Sequence, residues 1–396
     1  MNTHLIRRMM LMIAVCTFQS LQLFAAEAPV ADWQRTLVVV ELAGGNDGLN
    51  MVIPYADPLY YSDRPTIAVP KDQVLRLSGT LGLNPAMKPL LSSWSGGDLA
   101  FVLGAGYPDP NRSHFRSIDI WNTASNSDQY LQSGWISRLF DQDHPPASNI
   151  ADSFIIGENH DGPLAGPNMR NIALNSIGGF VREAHILAGV HVGSSDSGPL
   201  AYLDAVATDT RSAAARLAIL QNKLPHFATK FPATPFGRQV ELAAELLGAG
   251  ATVPVIKLTL RGFDTHGGER LVQDHLLAEL SGALASFRSA MIERGLWKNL
   301  LVMTYSEFGR RVRENFSKGT DHGTAAPMLI MGGMVKGGFY GEEPSLSNLD
   351  HGDLKFTTDY RDVYQTIASR FWMMDNGNAI ERALGRNYPQ LDFLPQ

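Results

Sequence analysis

The chain has 396 residues, 44% hydrophobic and 18% charged, with a formal net charge of −6. That composition supports a large globular core, and an acidic balance without a basic stripe excludes nucleic acid as a natural partner. The single cysteine, Cys16, lies near the start, which excludes thiolate metal sites, iron–sulfur clusters and cysteine nucleophiles from the remainder.

Residues 1–26 read as an export signal peptide. Arg7 and Arg8 precede an apolar stretch from Met9 to Phe24 that Thr17, Gln19, Ser20 and Gln22 interrupt, and the small residues Ala25 and Ala26 suit a peptidase. A membrane anchor needs roughly 20 predominantly apolar residues, so no transmembrane segment is expected. The run from Arg7 to Leu11 resembles a twin-arginine export signal. The mature protein, 27–396, is then expected to be periplasmic or secreted, as a single α/β domain with a loop-rich insertion or cap near 150–235.

Leu37 to Leu42 is a short β-branched run that predicts a buried strand, and it stops in the glycine-rich turn Gly44 to Gly48, which carries Asp47. Leu99 to Gly104 predicts a second strand, and from Ser113 the pattern turns helical through Phe115, Ile118 and Trp121. Gly, Pro, Asn and Ser dominate from 155 to 200, which marks the expected insertion. Helical stretches are predicted over 204–221 and 236–247. Val255 to Leu260 predicts a strand running into Gly262 to Gly267. Leu277, Leu280, Leu284, Phe287 and Met291 then recur at spacings of three and four, one apolar helix face ending at Gly295. Further strands are predicted at Leu300 to Thr304 and Met328 to Met331. Strands alternating with helices, with acids at the strand exits, predict a doubly wound, mostly parallel sheet flanked by helices.

Three turns carry chemistry. Asp264 and His266 are two apart after a strand, which in extended backbone puts both on one side about 6.5 to 7 Å apart, within reach of one ion. Carboxylate with imidazole suits zinc or manganese, while calcium prefers oxygen alone. Asp321, His322 and Gly323 form a second such turn, with Asp321 expected as the partner that orients His322. Glu307 lies past another strand end, followed by Arg310 and Arg311. An arginine there either holds the oxygens of a phosphoryl or sulfuryl group or pairs with Glu307 along a helical turn. Asp47 is either a ligand or a turn former. Ser113 suits a helix N-cap, and the same position gives a nucleophilic hydroxyl free N–H groups for an oxyanion, with Arg112 and His114 as neighbours.

Phe263 to His266, Ser306 to Arg310, Gly319 to Gly323, Gly44 to Gly48 and Asn111 to Phe115 together resemble the secreted bacterial family catalogued as domain of unknown function 1501. The resemblance runs from about Leu37 to Trp372. That family is similar in turn to the alkaline phosphatase-like superfamily of phosphatases, sulfatases and phosphomutases. The resemblance implies an alkaline phosphatase-like fold and one or two divalent ions. Asp264, His266 and His322 would bind one ion, with Glu307 supplying the acid of the other. Asp47 would match the acid after the first strand, and Ser113 the nucleophile. Phe308 stands where the superfamily places a histidine, and residues 113–117 lack the formylglycine context that sulfatases need. The implied activity is metal-dependent hydrolysis of a phosphate or sulfate ester, with Arg310 or Arg112 on the ester oxygens and a small anionic ester or envelope polymer as substrate. The alternative is a catalytically inert binding or assembly protein at the cell envelope, with another secreted protein as partner.

Overall fold

The structure, a computed structural model, describes residues 31–188, 198–374 and 377–396. The expected signal peptide, residues 1–26, lies outside the described residues. Among the described residues no helix is long and apolar enough to cross a membrane.

The strands in chain order are β1 (Thr36–Ala43), β2 (Val52–Ile53), β3 (Leu75–Arg76), β4 (Gly82–Leu83), β5 (Leu99–Gly106) and β6 (Ser153–Ile156). They continue with β7 (Asn171–Leu174), β8 (Val255–Arg261), β9 (Leu300–Tyr305), β10 (Ala326–Gly332), β11 (Gly338–Tyr340) and β12 (Thr358–Asp359). Nine of them form one sheet in the order β11-β5-β10-β9-β1-β8-β6-β7, with β12 also on β5, while β2, β4 and β3 make a small separate sheet. β1 lies at the centre, parallel to β8 through Val40 and Leu258 and to β9 through Val38 and Val302. Near-continuous apolar runs place both faces of these strands in the interior, as parallel strands under helices require.

Alternate residues of β1 serve two cores. Val38, Val40 and Leu42 join Ile256 and Leu258 on one face, under helix Glu269–Glu293, whose Leu277, Leu280, Leu284, Phe287 and Met291 are all buried. The stripe read from the sequence is thus the packed face, and each such side chain contributes roughly 1.5–3 kcal/mol on burial. Leu37, Val39, Val255 and Met303 face the other way, against Ile120 and Trp121 of helix His114–Thr123 and Val363 and Tyr364 of helix Tyr360–Thr366. The result is an α/β fold with a mixed, mainly parallel sheet between helical layers.

The sheet is mostly parallel, as expected, and two features give it its particular course. β10 runs antiparallel to both β9 and β5. A parallel neighbour needs a crossover, usually a helix, and the segment between Tyr305 and Ala326 contains none, so the chain folds straight back. The 150–235 stretch, expected as an insertion or cap, contributes β6 and β7, which extend the sheet in parallel beyond β8. Helices Ile177–Ala188 and Pro199–Gln221 follow them.

This topology gathers the chemistry at one sheet edge. β1, β8 and β9 are mutually parallel, so the turns after Ala43, Arg261 and Tyr305 emerge together. β10 points the opposite way, so the turn that precedes it, with Asp321 and His322, arrives at the same edge.

Candidate metal centre

Close backbone approach builds the site. Gly44 has a φ of +121°, and a Cβ there would lie 2.3 Å from the Asp264 nitrogen, so only glycine lets the first turn pack on the Asp264 turn. The turn after β9 is clamped to the one before β10: Gly309 N–H donates to the Thr324 carbonyl (2.7 Å), Gly323 N–H to Gly309 (2.9 Å) and Arg311 N–H to Asp321 (3.0 Å). Those bonds carry His322 against the β8 turn.

Asp264 is the hub. Its Oδ1 lies 3.0 Å from His266 Nε2 and 3.4 Å from His322 Nε2, and its Oδ2 lies 3.5 Å from His114 Nε2. His266 Nε2 and His322 Nε2 are 2.9 Å apart. Donor atoms of His114, Asp264 and His322 all fall within 4.8 Å of one another. Burial pushes the Asp264 carboxyl up, but the hydrogen bond and charge of Arg310, followed by His114 and His266, outweigh it and hold the group below the usual carboxylate range.

The far side of each ring decides what faces Asp264. His322 Nδ1 lies 2.8 Å from the Arg112 carbonyl, which only accepts, so Nδ1 carries the proton. His114 Nδ1 lies 2.9 Å from Glu307 Oε1, again an acceptor. In neutral rings both Nε2 atoms therefore present lone pairs toward a carboxylate. Burial, opposed by the Arg112 carbonyl and aided by the Arg310 charge, lowers the His322 pKa and favours that neutral form. Lone pairs of two imidazoles and a carboxylate converging on one point are what a divalent cation satisfies.

The other sequence-predicted residues fall into distinct places. Glu307, expected as a ligand, is buried; its Oε1 accepts from the Gly44 N–H (2.8 Å) and from His114. Asp47 is not at the hub. It is fully buried, with both oxygens on Arg64 at 2.5 and 2.9 Å. Arg310, expected on an ester, is buried and spends its donors inside the protein, on the Gly45, Thr320 and Phe263 carbonyls and on Asp264 Oδ1 at 2.7 to 3.0 Å. Arg112, the other arginine expected on the ester, pairs with Asp353 at 2.8 Å. Asp321, expected to orient His322, instead faces His266 Nδ1 at 3.5 Å and accepts from Asn315 Nδ2 at 3.1 Å. The group beside the His322 ring at Nδ1 is the Arg112 carbonyl. Ser113 caps helix His114–Thr123 through its backbone, without a side-chain capping bond, and is exposed.

His114 is the residue whose importance the sequence understated. It sits at the first turn of a helix, between a strand exit and the sheet edge, and that position was its one visible signal. Phe308 is buried and packs on both histidines, with ring centroids 4.4 Å from His322 and 5.0 Å from His114.

Residues 195–390 match the profile of a family described as a protein of unknown function, DUF1501, the family the motifs resemble. No curated protein matches the chain. Among solved structures, the chain is similar to the zinc complex of the C-terminal periplasmic domain of EcEptC from Escherichia coli, at 13% identity over 77% of this chain and 74% of that one, with a TM-score of 0.37. It is also similar to the alkaline phosphatase of the Antarctic bacterium TAB5, at 11% identity over 90% and 100%, TM-score 0.34. The soluble domain of lipooligosaccharide phosphoethanolamine transferase A from Neisseria meningitidis gives 12% identity over 76% and 79%, TM-score 0.35.

Proposed function

We propose that this chain is an exported, metal-dependent hydrolase of phosphate or sulfate esters, built on a divalent ion held by His114, Asp264 and His322. One observation carries the reading: two imidazole lone pairs and a carboxylate face one another, while the opposite ring nitrogens are fixed by Glu307 and the Arg112 carbonyl. The spacing fits. Tetrahedral zinc with bonds of about 2.0–2.1 Å needs ligand atoms about 3.3 Å apart; Asp264 Oδ1 stands 3.4 Å from His322, Oδ2 stands 3.5 Å from His114, and one donor atom from each of the three lies within 4.8 Å of the others. His266 Nε2 reaches Asp264 Oδ1, the oxygen that His322 faces, at 3.0 Å and supplies a further nitrogen. Mixed nitrogen and oxygen donors favour zinc or manganese over calcium.

When bound, such an ion supplies Lewis acidity to an ester oxygen and to an attacking group. The chain's own part is positioning. Ser113 exposes its hydroxyl next to His114, at a helix start whose first N–H groups have no intrahelical partner and favour negative charge. Glu307 holds the His114 ring, and Arg310 holds the Asp264 carboxylate. Ser113 or a water molecule attacks the phosphorus or sulfur, its proton passes to solvent, and the bond to the ester's alcohol breaks, the leaving alkoxide taking up a proton from water. Where Ser113 attacks, a water molecule then hydrolyses the seryl ester and restores the hydroxyl.

Elemental analysis of protein purified without a metal-affinity resin tests this, with turnover of aryl phosphate and aryl sulfate measured before and after chelation. Bound metal, and hydrolysis that chelation, Asp264→Ala and His322→Ala each abolish, is the expected result. Absence of metal, or hydrolysis untouched by these changes, overturns it.

A second reading, an inert binding protein at the envelope, draws on the internal pairing of Asp47, Glu307 and Arg310, groups that a working site would turn outward. It predicts a chelator-insensitive complex with another secreted protein and no ester turnover.

A further inference from the structure

The motif resemblance implies one or two ions, and a second ion would draw on Asp47 and Glu307, beyond the Asp264 cluster. In the fold that second set is closed. Arg64, with no exposed surface, takes both Asp47 oxygens and gives its other N–H groups to the carbonyls of Val312 (2.8 Å) and Arg311 (2.9 Å). Glu307 is turned to the Gly44 N–H and His114. The Arg310 guanidinium fills the space between the first turn and Asp264, bonded to the carbonyls of Gly44 and Gly45 and to Asp264 Oδ1. Phe308 closes what remains: a Cβ on Gly45 would lie 2.4 Å from its ring and 3.3 Å from Arg310 Nε.

We infer that this chain binds one divalent ion, not two, and that the buried guanidinium groups of Arg64 and Arg310 take the place of the second cation. The carboxylates at the sheet edge need positive charge in any case. An arginine remains protonated at every working pH and offers a planar fork that a bidentate carboxylate such as Asp47 matches. With two such charges fixed in a buried space, a second divalent ion meets repulsion, and both Asp47 oxygens are already taken by Arg64.

The inference rests on the proposal that the Asp264 cluster holds an ion, and the test separates the two. Metal-free full chain is loaded with zinc, passed through gel filtration, and its zinc counted per chain. A parallel manganese-loaded sample is read by electron paramagnetic resonance. One zinc per chain and an isolated six-line manganese signal, both lost in Asp264→Ala, are expected. Two ions, or an exchange-coupled manganese pair, overturn the inference and leave the metal-centre reading standing. No retained ion overturns the metal-centre reading itself and the inference with it. Phe308→His refines the cause: it is expected to stay at one ion, because the guanidinium groups remain, and a second ion in that variant refutes their role. The wild-type count decides the stoichiometry whether or not the variant folds.

Discussion

Glu269 opens the long helix Glu269–Glu293 with no exposed surface. Burial pushes its carboxyl up to about 9, and the charge of Asp47 and a hydrogen bond to it push the same way, against Arg64 and the Thr320 hydroxyl. Asp47 moves oppositely. Burial raises it, but Arg64 and the Glu269 hydrogen bond outweigh that and hold it below its ordinary value. At neutral pH, therefore, Glu269 is the acid and donates to the Asp47 carboxylate, while Thr320 Oγ donates to Glu269 Oε2 at 2.5 Å. An unfolded glutamate ionises near 4.3, so the stabilisation is complete below that pH and is lost as pH rises toward 9. The slope is at most about 1.4 kcal/mol per pH unit, or roughly 2.7 kcal/mol between pH 6 and 8. The Asp47 contribution is lost only as pH falls through its lowered value, outside that window. Glu269→Gln keeps a donor for Asp47 and an acceptor for Thr320 but removes the titration. Urea unfolding followed by tryptophan fluorescence, at half-unit steps from pH 6 to 8, gives the difference between variant and wild type, in which all other groups cancel. The variant is expected to gain relative stability steadily with pH. Parallel curves would refute the reasoning, because they would mean that Glu269 is already ionised in the folded protein.

Asp47→Ala leaves Arg64 buried and unpaired and is expected to cost about 3–5 kcal/mol in urea unfolding, with the metal count unchanged; a lost ion would instead make Asp47 a ligand. Glu307→Gln removes the carboxylate behind His114 and is expected to weaken metal binding about 10- to 100-fold, read by competition with a chromophoric chelator; unchanged affinity would show that the His114–Glu307 contact does not tune the site. Leu284→Ala, in the packed stripe, is expected to cost about 2–5 kcal/mol, whereas Leu271→Ala, at a position 80% exposed, is expected to change stability by less than about 0.5 kcal/mol; similar losses at both would refute the assignment of the buried face.

The residues that met expectation share a local cause. Val255 to Leu260 and Leu300 to Thr304 predict strands from runs of apolar residues, and β8 and β9 lie there with one residue more at the carboxyl end. The heptad-like stripe of Leu277 to Met291 predicts a helix face because side chains three and four apart share a side. That Asp264, His266 and His322 are neighbours was legible because each follows or precedes a strand in a short glycine-bounded turn. By contrast, the antiparallel course of β10 depends on the path of the Tyr305–Ala326 segment, which no periodicity records.

The sequence by itself determined the central apolar strands β1, β5, β8, β9 and β10, the long helix after β8 and the set of polar turns at the strand ends, since hydrophobic period and glycine-bounded turns act over a few residues. Only the tertiary structure decided which polar group meets which. His114 joins Glu307 across 193 positions and Arg310 reaches the Gly45 carbonyl across 265. Arg64 takes Asp47, and the Arg112 carbonyl takes His322. Such pairings follow from strand order and from the direction in which each ring or guanidinium must turn once buried, where an unpaired charge or donor costs more than the fold can spare. A motif names the side chains at an edge; the packed sheet determines whether a carboxylate there faces a histidine, a guanidinium or an open position.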